Sequence, residues 1–119
     1  MSDPVISIGL PVYNGARYLD ETMQSLVEQD FGDFEILACD NASTDETLSI
    51  LEQWRARDPR IRILTSPTNR GAAWNYNRSV SVARGRYYKW AACDDLLSPD
   101  YFSACIELFE SVGPGLVLV

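Results

Sequence analysis

The 119-residue sequence contains no histidine. This excludes Ser-His-Asp and Cys-His catalysis within the chain and removes the commonest zinc ligand. Its three cysteines, Cys39, Cys93 and Cys105, are odd in number and show no CxxC spacing. Neither a disulfide framework nor a zinc knuckle follows, and Cys39 and Cys93 read as small buried residues. No apolar run approaches the roughly 18 residues that span a bilayer. The opening MSDPVIS lacks the basic and apolar regions of a signal peptide, so a cytoplasmic protein is expected. Basic charge is scarce as well: 10 Lys and Arg stand against 17 Asp and Glu, for a net charge of −7 and a pI near 4.4. Such a balance argues against nucleic acid as a partner. A small anionic ligand needs local compensation from a metal, a few arginines or backbone amides. Glycine-rich GxGxxG and Walker A sequences are absent, and with them any tight backbone cradle for phosphate.

What remains is 46% hydrophobic and 23% charged, the composition of a single globular domain over residues 1–119. Apolar periodicity alternates between strand and helix. Residues 5–12 (VISIGLPV) form a nearly all-apolar run, as expected of a strand buried on both faces. Over residues 16–29, Tyr18, Leu19, Thr22, Met23, Leu26 and Val27 share one helical face. A second strand spans residues 34–39 (FEILAC). Ser43-x-x-Glu46 reads as a capping box opening a helix with Thr47, Ile50, Leu51 and Trp54 inward.

After Asp58-Pro59, residues 61–64 make a short third strand. Residues 72–84 make a helix with Ala73, Tyr76, Val80 and Ala83 inward and Gly85 as its stop. A fourth strand covers residues 87–92. A last helix, N-capped by Ser98 with Pro99 at its first position, packs through Phe102, Cys105, Ile106 and Phe109. Residues 115–119 (GLVLV) read as a fifth strand. Trp54 belongs to the core, and Trp74 and Trp90 are packing residues.

This order predicts an α/β fold, a doubly wound and mainly parallel sheet with helices on both faces. Ligands in such sheets sit beyond the carboxyl ends of the strands. Just there the chain places Pro11-Val12-Tyr13-Asn14-Gly15, then Asp40-Asn41, then Asn69-Arg70-Gly71, then Asp94-Asp95. Two adjacent aspartates alone are commonplace. Their position after the fourth strand, with Asp40 on the same edge, points to a site. An oxygen-only pair suits Mg²⁺ or Mn²⁺. Neighbours on an extended backbone point to opposite sides, so one aspartate is expected to ligate metal and the other to contact a nearby group such as a ribose hydroxyl. Tyr13 offers a flat face to a base, and Asp40 accepts from a base or sugar. Asn41 offers both donor and acceptor. Arg70 is either a solvated charge or a diphosphate contact.

The ordered set P-x-YN, S-L-x-x-Q, D-N-x-S-T-D, N-x-G-A, A-x-G-x-Y and DD-x-x-x-P-D resembles the nucleotide-binding half of family-2 glycosyltransferases of the GT-A fold, in the subgroup reading DNAST. The resemblance implies inverting transfer of a sugar from a UDP- or dTDP-linked donor to a saccharide or lipid-linked acceptor, with Mg²⁺ or Mn²⁺. It places Pro11, Val12, Tyr13 and Asn14 beside the nucleotide, and Asp40 at base or ribose with Asn41 beside it. Asp95 falls on the metal, and Asp94 nearer the ribose or diphosphate. Ala92 stands where many members carry a further acid. The half bearing the acceptor site and the catalytic base is expected beyond residue 119, so no residue here is assigned as base. Two other readings are a sugar-1-phosphate nucleotidyltransferase, which needs a glycine-rich loop that PVYNGA does not provide, and a non-catalytic nucleotide-binding module. The apolar end at residues 116–119 raises the expectation of a homodimer.

Overall fold

The computed structural model describes residues 3–112. They form β1 (Ile6–Val12), α1 (Ala16–Val27), β2 (Phe34–Asp40), α2 (Thr47–Arg57), β3 (Ile61–Leu64), α3 (Ala72–Val82), β4 (Tyr87–Trp90) and α4 (Tyr101–Val112). The strands pair in parallel in the order β3-β2-β1-β4, in the manner expected from the alternation of elements. The expected fifth strand, and the dimer contact through it, lie outside the described residues. Among the described residues no helix is long and apolar enough to cross a membrane.

Side chains alternate across a strand, and here the two sheet faces differ in chemistry. Ile6, Ile8, Leu10 and Val12 of β1 and Phe34, Ile36 and Ala38 of β2 point to one side. They join Leu19, Met23 and Leu26 of α1, Leu51 and Trp54 of α2, and Phe102 of α4 in a buried cluster. Each large aliphatic side chain so buried is worth about 1.5–3 kcal/mol, which makes this layer the main hydrophobic source of stability.

The opposite face carries Ser7, Gly9 and Glu35 beneath α3. That helix meets it with buried Asn75 and Ser79 and half-buried Arg78, while Tyr76 and Val80 stay exposed. The stripe Ala73, Tyr76, Val80 and Ala83, expected inward, is therefore not the buried one. The reason is what the sheet offers here: strand-end carbonyls and the Tyr88 hydroxyl, which need partners. Asn75 Nδ2 donates to the Cys39 carbonyl at 2.8 Å, and Arg78 donates to the carbonyls of Asp40 at 2.8 Å and Thr65 at 2.7 Å. Ser79 Oγ hydrogen-bonds the Tyr88 hydroxyl, whose pKa burial pushes up to about 12. Gly9 has no Cβ because that hydroxyl occupies its place.

Glu35 knots the amino end of this face. Its carboxylate accepts from Ser7 Oγ at 2.6 Å, Arg62 Nη1 at 2.9 Å, the Arg84 amide at 2.8 Å and Arg84 Nη2 at 3.1 Å. Three strands and the α3–β4 link thus meet at one buried charge. Gly85 sits against the same knot. It was expected as the helix stop, but α3 already ends at Val82 with Ala83 as C-cap. Close approach is what requires glycine: a Cβ there would lie 2.6 Å from the Ser7 amide nitrogen. Gly85→Ala is expected to destabilise by about 1–3 kcal/mol, the usual cost of overpacking. The urea midpoint measures this, and an unshifted midpoint contradicts it.

Two helix starts also differ from expectation. The Thr47 amide at the head of α2 is bonded by Asp45 Oδ1 at 2.9 Å, not by Ser43. At α4 the Phe102 amide donates to Gln29 Oε1 at 2.8 Å, across 73 positions of sequence. Orphan donors in a first helical turn accept any well-placed oxygen, so the cap need not come from the adjoining sequence.

Candidate functional site

The carboxyl ends of β1 and β2 are tied together by side chains. Asn14 takes a left-handed backbone, φ 51°, which asparagine tolerates. Its Oδ1 accepts from the Thr44 amide at 2.8 Å and the Asp45 amide at 3.3 Å, and its own amide donates to Ser43 Oγ at 2.9 Å. Asp45 braces the same corner, accepting through Oδ2 from the Ala16 amide at 3.2 Å. Against slight burial, which acts to raise it, the bonds from Thr47 and Ala16 hold the Asp45 pKa below the ordinary range. Ser43, expected only as a helix cap, instead hydrogen-bonds Asp40. Asp40 is buried at 3% exposure.

A cleft of about 260 Å³ opens at this edge, lined by Pro11, Val12, Tyr13, Asn41, Asn69, Ala72, Asn75 and Tyr76. Tyr13 is 49% exposed and available as a wall. Asn41 lines the cleft, but its amide is already committed. Nδ2 donates to Asn69 Oδ1 at 3.0 Å and the Gly71 carbonyl at 3.2 Å, while Oδ1 accepts from the Arg70 amide at 3.0 Å. Its structural work is thus to clasp the loop that enters α3. Within that loop Gly71 adopts φ 91°, a region that favours glycine. Arg70 lies over the Trp74 ring at 4.6 Å, and Arg78 lies over the same ring at 4.5 Å.

Asp94 and Asp95 follow β4, beside β1. Gly15 lets their loop come close, since a Cβ on it would lie 2.9 Å from Cys93 Sγ. The two carboxylates have different surroundings, but on a turn, in which the Asp95 amide donates to the Ala92 carbonyl at 3.1 Å, and not on the extended backbone that the sequence argument assumes. Asp94 is exposed and lines a second hollow, about 360 Å³, with Tyr18, Glu21, Thr22 and Leu96. Asp95 is half-buried and folds back, accepting the Ala92 amide at 2.9 Å through Oδ2. Arg70 stands in the loop that enters α3, where its amide is bonded to Asn41 and its guanidinium lies over Trp74. The fold therefore gathers Pro11, Val12, Tyr13, Asn14, Asp40 and Asn41 closely, sets Asp94 and Asp95 one strand over, and leaves Arg70 outside the cleft lining.

No group of three His, Cys, Asp or Glu side chains that could enclose a metal occurs among the described residues. Two carboxylates fit a hard cation that takes its other ligands from water and phosphate, the usual Mg²⁺ arrangement. The donor set suits such an ion and does not suit a closed structural metal. Sequence reasoning missed Asn75, Arg78 and Asp45. The polar stripe Asn75, Arg78 and Ser79 at helical spacing was the available signal for the first two, but Asn77 and Ser81 on the other side of α3 blur it.

A parallel sheet with a cleft at its carboxyl edge, walled by tyrosine and asparagine, defines the class: an α/β domain of the doubly wound type. Within that class the chain belongs to glycosyl transferase family 2, whose sequence model matches residues 7–119. It is 37% identical over 107 residues to the chondroitin synthase of Escherichia coli, covering 90% of this chain and 16% of that protein. Among solved structures it is similar to S. aureus TarS 1-349 in complex with UDP, at TM-score 0.84 and 27% identity, covering 90% of this chain and 32% of that one. It is also similar to the mannosyltransferase PcManGT from Pyrobaculum calidifontis in complex with GDP-Man and Mn²⁺, at TM-score 0.81 and 25% identity, over 90% and 32%. The chain thus spans a third or less of the length of these proteins.

Proposed function

We infer that the chain binds a nucleoside diphosphate sugar, UDP- or dTDP-linked, for an enzyme that transfers the sugar with inversion to a saccharide or lipid-linked acceptor hydroxyl. One observation carries the reading: an aromatic-walled cleft, a buried carboxylate and an adjacent acidic pair converge on one sheet edge. Family membership and the ligands of the two structural neighbours, UDP in one and GDP-Man with Mn²⁺ in the other, support it.

In this reading Tyr13 stacks on the base, a contact worth about 1–3 kcal/mol where it occurs with nucleic acids. Asp40 accepts a hydrogen bond from base or ribose, held by Ser43 so that it does not swing away. Pro11, Val12 and Asn14 border the nucleotide, and Asn41 shapes that border by clasping residues 69–71. Asp95, with Asp94 beside it, holds Mg²⁺ or Mn²⁺, while Asp94 faces the ribose or diphosphate. The ion supplies electrostatic stabilisation to charge growing on the leaving diphosphate. Arg70, stacked on Trp74, keeps its guanidinium N–H groups in the plane of the stack, where they can meet a diphosphate. No residue of the 119 is assigned as the base that takes the acceptor proton.

The test is a calorimetric titration of UDP, GDP and dTDP into the 119-residue chain, with and without Mn²⁺. UDP or dTDP is expected to bind, and more tightly with the ion. Failure of all three to bind at millimolar concentration sinks the donor assignment. Binding indifferent to Mn²⁺ sinks the metal assignment.

A further inference from the structure

The Ser25-Leu26-x-x-Gln29 motif at the carboxyl end of α1 has no part in the reading above. Thr22 and Ser25 stand at positions i and i+3 of α1 and so share a face, and Gln29 follows just beyond the helix end at Val27. All three are turned onto the backbone that follows β4. Thr22 Oγ1 donates to the Cys93 carbonyl at 2.7 Å, and the Leu97 amide donates to Ser25 Oγ at 3.4 Å. Gln29 Nε2 donates to the Ser98 carbonyl at 2.6 Å, and its Oε1 accepts from the Phe102 amide. The Asp30 amide adds a bond to the Pro99 carbonyl at 2.8 Å. Thr22 is fully buried, and Gln29 is 6% exposed.

Residues 93–100 are neither helix nor strand, so their backbone groups depend on outside partners. Thr22, Ser25 and Gln29 supply three of them, at Cys93, Leu97 and Ser98, and the Asp30 amide a fourth at Pro99; the Asp95 amide is met within the loop by the Ala92 carbonyl at 3.1 Å, and the Asp100 carbonyl by α4. Asp94 and Asp95 lie between the first two attachment points, Cys93 and Leu97. At the far end Gln29 both anchors Ser98 and caps α4.

We propose that Thr22, Ser25 and Gln29 form a rail that sets the position of the Asp94–Asp95 loop, with Gln29 as its principal positioning residue. The tethering stands on geometry alone, whereas its consequence for a bound ion rests on the proposed function. Two measurements keep these apart. The first is amide hydrogen exchange on wild type, Gln29→Leu, Gln29→Glu, the near-isosteric Thr22→Val, and Glu35→Gln at the opposite end of the sheet. Gln29→Leu is expected to speed exchange at Ala92, Asp95 and Phe102 about tenfold or more relative to Ile36 and Ala91. Gln29→Glu, which keeps the acceptor for Phe102 and loses the donor for Ser98, is expected to fall between. Thr22→Val should speed Ala92 and Asp95 and spare Phe102. Glu35→Gln should speed all of them in proportion to lost stability.

The second measurement is the gain in UDP affinity on adding Mn²⁺. Gln29→Leu and Thr22→Val are expected to reduce that gain about tenfold, the lower end for loss of a group supporting a metal ligand. Metal-free affinity should stay at the wild-type value. If Gln29→Leu does not fold, Thr22→Val and Gln29→Glu decide the same question. Exchange that rises uniformly, as for Glu35→Gln, overturns the rail. Selective exchange with an undiminished Mn²⁺ gain overturns its link to the acidic pair. A wild type with no Mn²⁺ gain overturns that link through the metal assignment and leaves the rail to be judged by exchange.

Discussion

Asp95→Ala is expected to weaken UDP binding in the presence of Mn²⁺ by about 100-fold, or about 2.8 kcal/mol, and to leave metal-free binding unchanged. The magnitude follows from how few ligands the protein offers. Among the described residues no third acidic, cysteine or histidine side chain completes a site, and the nearby position 92 is an alanine. Asp94 is exposed and lines an open hollow with Tyr18 and Glu21. Asp95 is the more enclosed of the two, with one oxygen committed to the Ala92 amide. Its removal takes away both a charge and the brace that shapes the loop. Asp95→Asn separates these effects, because the amide oxygen still accepts from Ala92 while the charge is gone. Asn should therefore lose most of the Mn²⁺ effect and little thermal stability. An Asp95→Ala chain with wild-type Mn²⁺ dependence is the result that contradicts the assignment.

Glu35→Ala is expected to cost about 3 kcal/mol of folding stability, the largest effect foreseen for a residue remote from the cleft. Breaking a buried pair typically costs 3–5 kcal/mol. The lower end applies because Arg62 and Arg84, with side chains 35% and 55% exposed, retain access to water. The loss also strands Ser7 Oγ and the Arg84 amide, which have Glu35 as their acceptor. Burial by itself raises the Glu35 pKa. The bonds from Ser7, the Arg84 amide, Arg62 and Arg84 outweigh it and leave the value below the ordinary 4.5. A carboxylate depressed in the folded state stabilises above its unfolded pKa and loses that contribution as pH falls through the folded value. Wild-type stability is therefore expected to drop below about pH 4.5, with a slope that Glu35→Gln flattens. Urea unfolding at pH 7 and across the acid range measures both effects. A Glu35→Ala midpoint equal to wild type removes the knot from any account of stability.

Much of the architecture is legible in local pattern. The runs VISIGLPV and FEILAC are largely apolar, broken only by Ser7 and Glu35 on one alternating set, and they become the two central strands of the described sheet, buried almost throughout. The runs at 61–64 and 87–90 are shorter and more polar, and among the described residues they are the outer strands. The acidic pair was legible for a similar reason: charged residues after an apolar strand must leave the sheet at its carboxyl edge. Asn41 shows where such reading stops. Its amide suits a base as well as it suits a loop, and only the position of Asn69 and Gly71 reveals the loop as its partner.

Hydrophobic period and turn chemistry are properties of neighbours along the chain, and they determined the βαβ alternation, the parallel sheet and the edge on which the polar residues gather. The tertiary structure decided which polar group serves which. It turned α3 onto Asn75, Arg78 and Ser79, because the sheet beneath offers strand-end carbonyls and the Tyr88 hydroxyl. It capped α4 from Gln29 and α2 from Asp45, and it hung the Asp94–Asp95 loop on α1. A buried hydrogen-bonding group must find a partner, and no local rule says how far along the chain that partner lies.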